Sequence, residues 1–175
     1  SKARYKAVFD YYWIIQNEMN RLYNITRMME RQLKRLSNQY YRYINRMKFS
    51  ILGIDYGDCC IVHGHIRIII GINAKVRIGH NFCFLSARSL NPLSRNLQGC
   101  ICVNDNATLT IGHHVNMSSV VLWSHKSICI GHHVDIGANT IIMDSNAHSL
   151  DYRNRRQHDT DMKGKIQISW KEMVA

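Results

Sequence analysis

The sequence predicts a mainly β fold: a solenoid of short stacked strands joined to an N-terminal α-helical segment. Three observations predict it. Aliphatic residues return every six positions, with Ile130, Ile136 and Ile142 in one series and Ile111, Met117 and Trp123 in another. That period fits neither a helix at about 3.6 nor a simple strand alternation at about 2. A short phrase also recurs, as Ile111-Gly112-His113-His114-Val115 and Ile130-Gly131-His132-His133-Val134, with a further copy at Ile78-Gly79-His80-Asn81-Phe82. Lastly, residues 2–48 contain neither Gly nor Pro, whereas Gly and β-branched residues set the pattern from residue 49 onward. One inward aliphatic per hexad, with small or polar residues between, is how short strands meeting at tight corners fill a narrow interior. Ile111 and Ile130 are one residue further apart than three hexads, so successive coils are expected in near register with one small bulge.

Residues 1–48 are read as a helical cap and basic segment. Trp13, Met19, Leu22, Ile25, Met29, Leu33, Leu36, Tyr40 and Ile44 follow steps of three and four, which predicts one or two amphipathic helices, with Asn24 or Ser37–Asn38 as the places where a break would fall. The end coil of a solenoid exposes strand edges and apolar surface, and a helix here would cover them. The formal net charge of +11 is concentrated in this segment, which holds eleven Lys or Arg against three acids. Arg21, Arg27, Arg31, Lys34, Arg35 and Arg42 therefore form a candidate basic face for an anionic membrane surface or a lipid-linked substrate. Nucleic acid is not the expected partner.

Residues 49–175 are read as the β domain, beginning by about residue 55. Ile72, Ile78 and Phe84 are six apart and expected to face inward. A stretch near 89–98, with the only proline at Pro92, breaks the rhythm and reads as a loop leaving a corner. Ile101, Val103 and Leu109 resume the strands. A second excursion, 149–165, is rich in charge, after which Ile166 and Ile168 read as a return to a strand. Loops of this kind cluster on one face of a solenoid and frequently shape its binding site. No run of about 18 apolar residues predicts a transmembrane helix. The six cysteines lack a paired C-x-x-C spacing, and Cys83, Cys102 and Cys129 lie inside apolar runs, which predicts small buried thiols in a reducing, cytoplasmic setting.

The run from Ile111 to Arg156 resembles the hexapeptide-repeat acetyltransferases, closest in cadence to branches that O-acetylate sugars in polysaccharide biosynthesis. The residues that carry the resemblance are Ile128, Ile130, Gly131, Val134, Ile136, Gly137, Ile142, Asp144 and His148, followed by Arg153 or Arg155. It implies a left-handed parallel β-helix, acetyl-CoA as co-substrate, a hydroxyl-bearing sugar acceptor and a homotrimer with sites between adjacent copies. It also implies that His148 is the general base. That role suits an imidazole, whose pKa lies near working pH, acting on a hydroxyl that is a poor nucleophile when neutral.

Asp144 and Asn146 flank His148 and are candidates to orient its ring; Asp144 reads equally well as a corner cap. Asn116 and Ser118 match a polar corner of the polysaccharide-type members and are candidates for the acceptor site, and Arg153 and Arg155 for CoA phosphates or an anionic sugar. The chain departs from the family where further hexads are expected after the second excursion: Lys165 to Trp170 opens such a coil without its Gly. The His pairs 113/114 and 132/133 are expected to stack at neighbouring corners, where the repeat explains them better than a metal would. No metal is expected. The competing reading is a catalytically inert solenoid whose basic helix binds a partner or sits at the inner face of a membrane.

Overall fold

The computed structural model describes residues 2–86, 93, 97–146 and 166–168. The chain divides into two compact units, Ser1–Gln39 and Tyr40–Ala175. A single helix, α1, runs from Lys2 to Ile51 with no break at Asn24 or Ser37. It ends because Gly53 takes a left-handed φ of 65°, which glycine adopts without the Cβ penalty of other residues. Around it the Leu52 amide donates to the Lys48 carbonyl at 3.0 Å and the Ile54 amide to the Phe49 carbonyl at 2.9 Å.

The second unit is mainly parallel β-structure. One sheet contains β1 (Asp55–Tyr56), β4 (Lys75–Ile78), β7 (Thr108–Ile111), β10 (Ser127–Ile130) and β13 (Ile166–Ile168). A second contains β2 (Ile61–His63), β5 (Cys83–Leu85), β8 (Asn116–Ser118) and β11 (Asp135–Ile136). The third contains β3 (Arg67–Ile70), β6 (Cys100–Val103), β9 (Val121–Ser124) and β12 (Ile141–Met143). Each strand thus pairs with the strand three later in the chain, and three consecutive strands form one round. Ile111 sits opposite Ile130, the register expected from the repeated phrase. The return at Ile166 and Ile168 also holds, since these residues pair with Ile128 and Ile130.

Between the sheets lies one apolar core that includes Val76, Ile78, Phe82, Phe84, Ile101, Leu109, Ile111, Val115, Met117, Leu122, Ile128, Ile130 and Val134. Ile142, at the far end, is 7 % exposed. The last turns of α1 belong to this unit and join that core through Phe49, which is 1 % exposed and meets Tyr56 edge-on at 5.6 Å between ring centres. Its neighbour Asn45, also buried, donates its side-chain amide to the carbonyls of Val62 at 3.2 Å and Gly64 at 2.8 Å.

Two expected inward positions are corrected. Ile72 is 73 % exposed at a corner. Trp123 is half-buried, and Leu122 is the fully buried side chain beside it. From Met117 the chain needs only five residues to reach the next inward position, because Ser119 turns the corner tightly at a φ of 46°. Cys83, Cys102 and Cys129 are also corrected: they are half-buried and alternate with the inward residues. Cys60 is the buried thiol, and loss of water around it raises its pKa to about 11. Among the described residues no helix is long and apolar enough to cross a membrane.

Candidate functional site

The corners, rather than the strands, carry the polar chemistry of this molecule. Where the first sheet passes to the second, each round supplies a four-residue corner: Gly57 to Cys60, Gly79 to Phe82, Gly112 to Val115 and Gly131 to Val134. The third residue of each takes a left-handed φ, as in Cys59, Asn81, His114 and His133 at 56–57°. Stacking these corners brings His80, His113 and His132 face to face, with ring centres 5.0 and 4.8 Å apart, and His114 over His133 at 4.7 Å.

The ladder has a bonding rule. The amide of Asp58 donates to Nδ1 of His80 at 3.0 Å, that of His80 to Nδ1 of His113 at 2.9 Å, and that of His113 to Nδ1 of His132 at 3.0 Å. Each Nδ1 therefore accepts, so the proton of the neutral ring sits on the outward Nε2. Among the described residues no group of three or more His, Cys, Asp or Glu side chains converges as a metal site would.

The corner after β9 differs from its predecessors and leads toward the expected catalytic residues. Four residues separate β6 from β7, but only His125 and Lys126 separate β9 from β10. So tight a corner turns three successive amides to one side, a nest suited to an anion. Asp144 fills it: Oδ1 accepts from the His125 amide at 2.6 Å, and Oδ2 from the Lys126 amide at 2.8 Å, the Ser127 amide at 2.5 Å and the Ser124 hydroxyl at 3.4 Å. The side chain is 2 % exposed. Its place in the register explains why it can reach. Met143 pairs with Trp123, which sets Asp144 over Ser124 on the row where earlier rounds place Ile70 and Val103. About four acceptor positions are all a carboxylate offers, and the corner uses them; of the two roles expected for Asp144, the geometry builds the corner cap.

Next to this nest stands a histidine that sequence reasoning passed over. His125 is 8 % exposed, lies 4.8 Å from the Trp123 ring, and its Nδ1 meets the Asn104 amide nitrogen at 3.0 Å. The Trp123 indole N–H can only donate, and it donates to Asn104 Oδ1 at 3.1 Å. Asn104 must therefore turn its NH₂ toward His125, which places the proton of the neutral imidazole on Nε2. That Nε2 is buried and has no partner among the described residues. It is a donor whose tautomer Asn104 and Trp123 fix. The signal available in the sequence was a break in the corner pattern, since His125 follows directly on Ser124 where the round before has Asn104 after Val103.

The remaining candidates fall apart into two groups. Asn116 opens β8 in the second sheet, where it is exposed and donates to Asp135 Oδ1 at 2.7 Å, and Ser118 closes the same strand half-buried. Asp144 and Asn146 follow β12 of the third sheet, and Asn146 is exposed. The two groups are thus on different sheets and are not brought together. His148, Arg153 and Arg155 lie outside the described residues, as does the 149–165 excursion. Of the 89–98 loop, Leu93 accepts at its carbonyl from the Asn139 side chain at 2.6 Å, and the Gln98 amide meets His65 Nδ1 at 2.5 Å.

Comparison with family models, with curated proteins and with solved structures gives no match. The functional reading therefore rests on the residues themselves.

Proposed function

We propose that the three-sheet body winds as a left-handed parallel β-helix and works as an acetyl-CoA-dependent O-acetyltransferase on a sugar hydroxyl, with His148 as general base. The observation that carries the proposal is the seating of Asp144. The residue matches the hexad motif by resemblance, and its carboxylate locks the corner over which the chain leaves the third sheet, four residues before His148. The every-third-strand parallel pairing supports the same reading, because hexad repeats produce it.

In the proposed reaction His148 takes the proton of the acceptor hydroxyl as its oxygen attacks the acetyl carbonyl of acetyl-CoA. The tetrahedral oxyanion collapses, the C–S bond breaks, and the imidazolium returns the proton to the departing thiolate. Asn146 is the residue proposed to orient the ring, Asn116 and Ser118 to meet the acceptor, and Arg153 and Arg155 to meet phosphate. Because Asn116 and Asp144 stand on different sheets, a complete site needs surfaces from two copies, as in the proposed homotrimer.

The test is free-thiol release from acetyl-CoA with a panel of sugars. His148→Ala is expected to lose about 10²–10⁴-fold while retaining the far-ultraviolet circular dichroism of the wild type. Equal rates in both proteins would remove His148 from the role of base. No rate above background in the wild type with any sugar would overturn the enzyme reading and leave the inert scaffold.

A further inference from the structure

Along α1, Tyr12, Ile15, Met19, Leu22, Thr26, Met29, Leu33 and Leu36 are spaced alternately by three and four residues, and Tyr40 and Tyr43 continue the series. A mean step of 3.5 marks the seam of a coiled coil rather than the broader stripe of a helix lying on a protein core. Among the described residues this seam is exposed. Tyr12 is 65 % exposed, Leu22 57 %, Met29 56 % and Leu33 65 %. The last turns confirm which side is free: Tyr41, Ile44, Asn45, Lys48 and Phe49 are the half-buried or buried positions, whereas Tyr40 and Tyr43 remain 60 % and 66 % exposed.

We infer that this seam is where copies of the chain associate, as a parallel, in-register coiled coil. Charge placement selects this occupant. Arg21, Arg27, Arg31, Lys34, Arg35 and Arg42 all take heptad positions remote from the seam, where identical basic helices repel least, and the positions beside it carry the acids Glu18 and Glu30. An anionic membrane would meet those acids first. The seam itself contains no charged residue from Tyr12 to Tyr43, and its one hydroxyl outside the tyrosines, on Thr26, already donates to the Tyr23 carbonyl at 2.8 Å.

The size is adequate as well. Thirty-two helical residues extend about 48 Å, and a strip about 10 Å wide on each of two copies gives roughly 1,000 Å² in all, the scale at which a specific interface begins. Parallel alignment sets like layers together, so that Leu22 meets Leu22 and Leu36 meets Leu36. This inference does not depend on acetyl transfer.

Light scattering on the full chain across a concentration series tests it. The wild type is expected at a whole-number multiple of 20.4 kDa, and Leu22→Lys with Met29→Lys at the mass of one chain. Both side chains are exposed in the single chain, so the body should keep its unfolding midpoint. Asn24→Glu, on the far side of the helix, should leave the mass unchanged. Leu22→Cys should form a disulfide-linked pair under mild oxidation that the wild type, treated alike, does not form; its absence would overturn the parallel register. A wild type of single-chain mass would overturn the inference, and sedimentation of that single chain with phosphatidylserine vesicles would assign the seam to membrane instead. A double variant that keeps the oligomeric mass would place self-association elsewhere.

Discussion

The helical unit and the strand-bearing unit are both rich in apolar side chains, yet they treat them oppositely. In the strand-bearing unit Leu122, Ile101 and Phe84 are fully buried; in the helical unit Leu33, Leu22 and Met29 are more than half exposed. The difference follows from how each satisfies its hydrophobic face. Strands of three parallel sheets share one core, so the chain itself supplies both sides of the contacts there. A solitary helix has no second side, and most helical stability in proteins comes from packing an apolar face rather than from propensity. Among the described residues the strand-bearing unit buries its apolar face, whereas the helical unit leaves its own exposed.

The largest expected effect sharpens that contrast directly. Leu122→Ala should cost about 2–5 kcal/mol of stability, because a methyl-lined cavity replaces a side chain with no exposure. Leu33→Ala, measured at a concentration where light scattering gives one chain, should cost no more than about 0.5 kcal/mol. Denaturant unfolding of the two variants checks both. Comparable losses would show that the helix is packed within the single chain, and the contrast would break.

A smaller effect probes how closely the rounds stack. At Gly112 an added Cβ would lie 2.5 Å from the Gly131 carbonyl oxygen, and the obstacle is backbone rather than a movable side chain. Gly112→Ala should therefore cost about 1–3 kcal/mol, read as a lower denaturation midpoint. No loss would mean that the corner can open without disturbing the β7–β10 pairing.

Much of this architecture was legible in the hexad spacing. Ile111 and Ile130 are register partners, and Ile78, Phe84, Met117 and Ile142 are buried as expected. Trp123 was misplaced because spacing alone cannot show a corner shortened by one residue; Ser119 has no special composition, only an unusual φ. The role of Asp144 was readable only as one of two alternatives, since its reach into the nest depends on the two-residue corner at His125 and Lys126. His125 escaped notice for a related reason. Its fixed tautomer depends on Trp123 and Asn104, one of them from the preceding round, and such a triangle exists only after stacking. The heptad of α1 was visible as steps of three and four, but a broad amphipathic stripe and a narrow seam differ by little in sequence. Only the strict alternation of three and four from Tyr12 to Tyr43 separates them.

The smallest expected effect concerns pH and belongs to the strand-bearing unit alone. Shielding of the His113 ring from water, and then repulsion from His132, His80, His114 and His133, hold its pKa below the ordinary histidine value. Protonation would also place a hydrogen on the Nδ1 that accepts from the His80 amide. His63 is shifted the same way, by burial first and then by Arg42. For a group whose folded pKa is lowered, the unfolded chain binds the proton more readily, so stability is full above the unfolded value of about 6.5 and falls as the pH drops toward the folded one. The melting temperature should decline from pH 7.5 to pH 5, and His113→Asn should make that decline shallower while leaving the contribution of His63 in place. Asn suits this corner because it is a short polar turn residue, and the short polar Asp58 holds the matching position in the first corner. Parallel pH profiles for the two proteins would show that His113 contributes to corner shape without coupling the fold to protons.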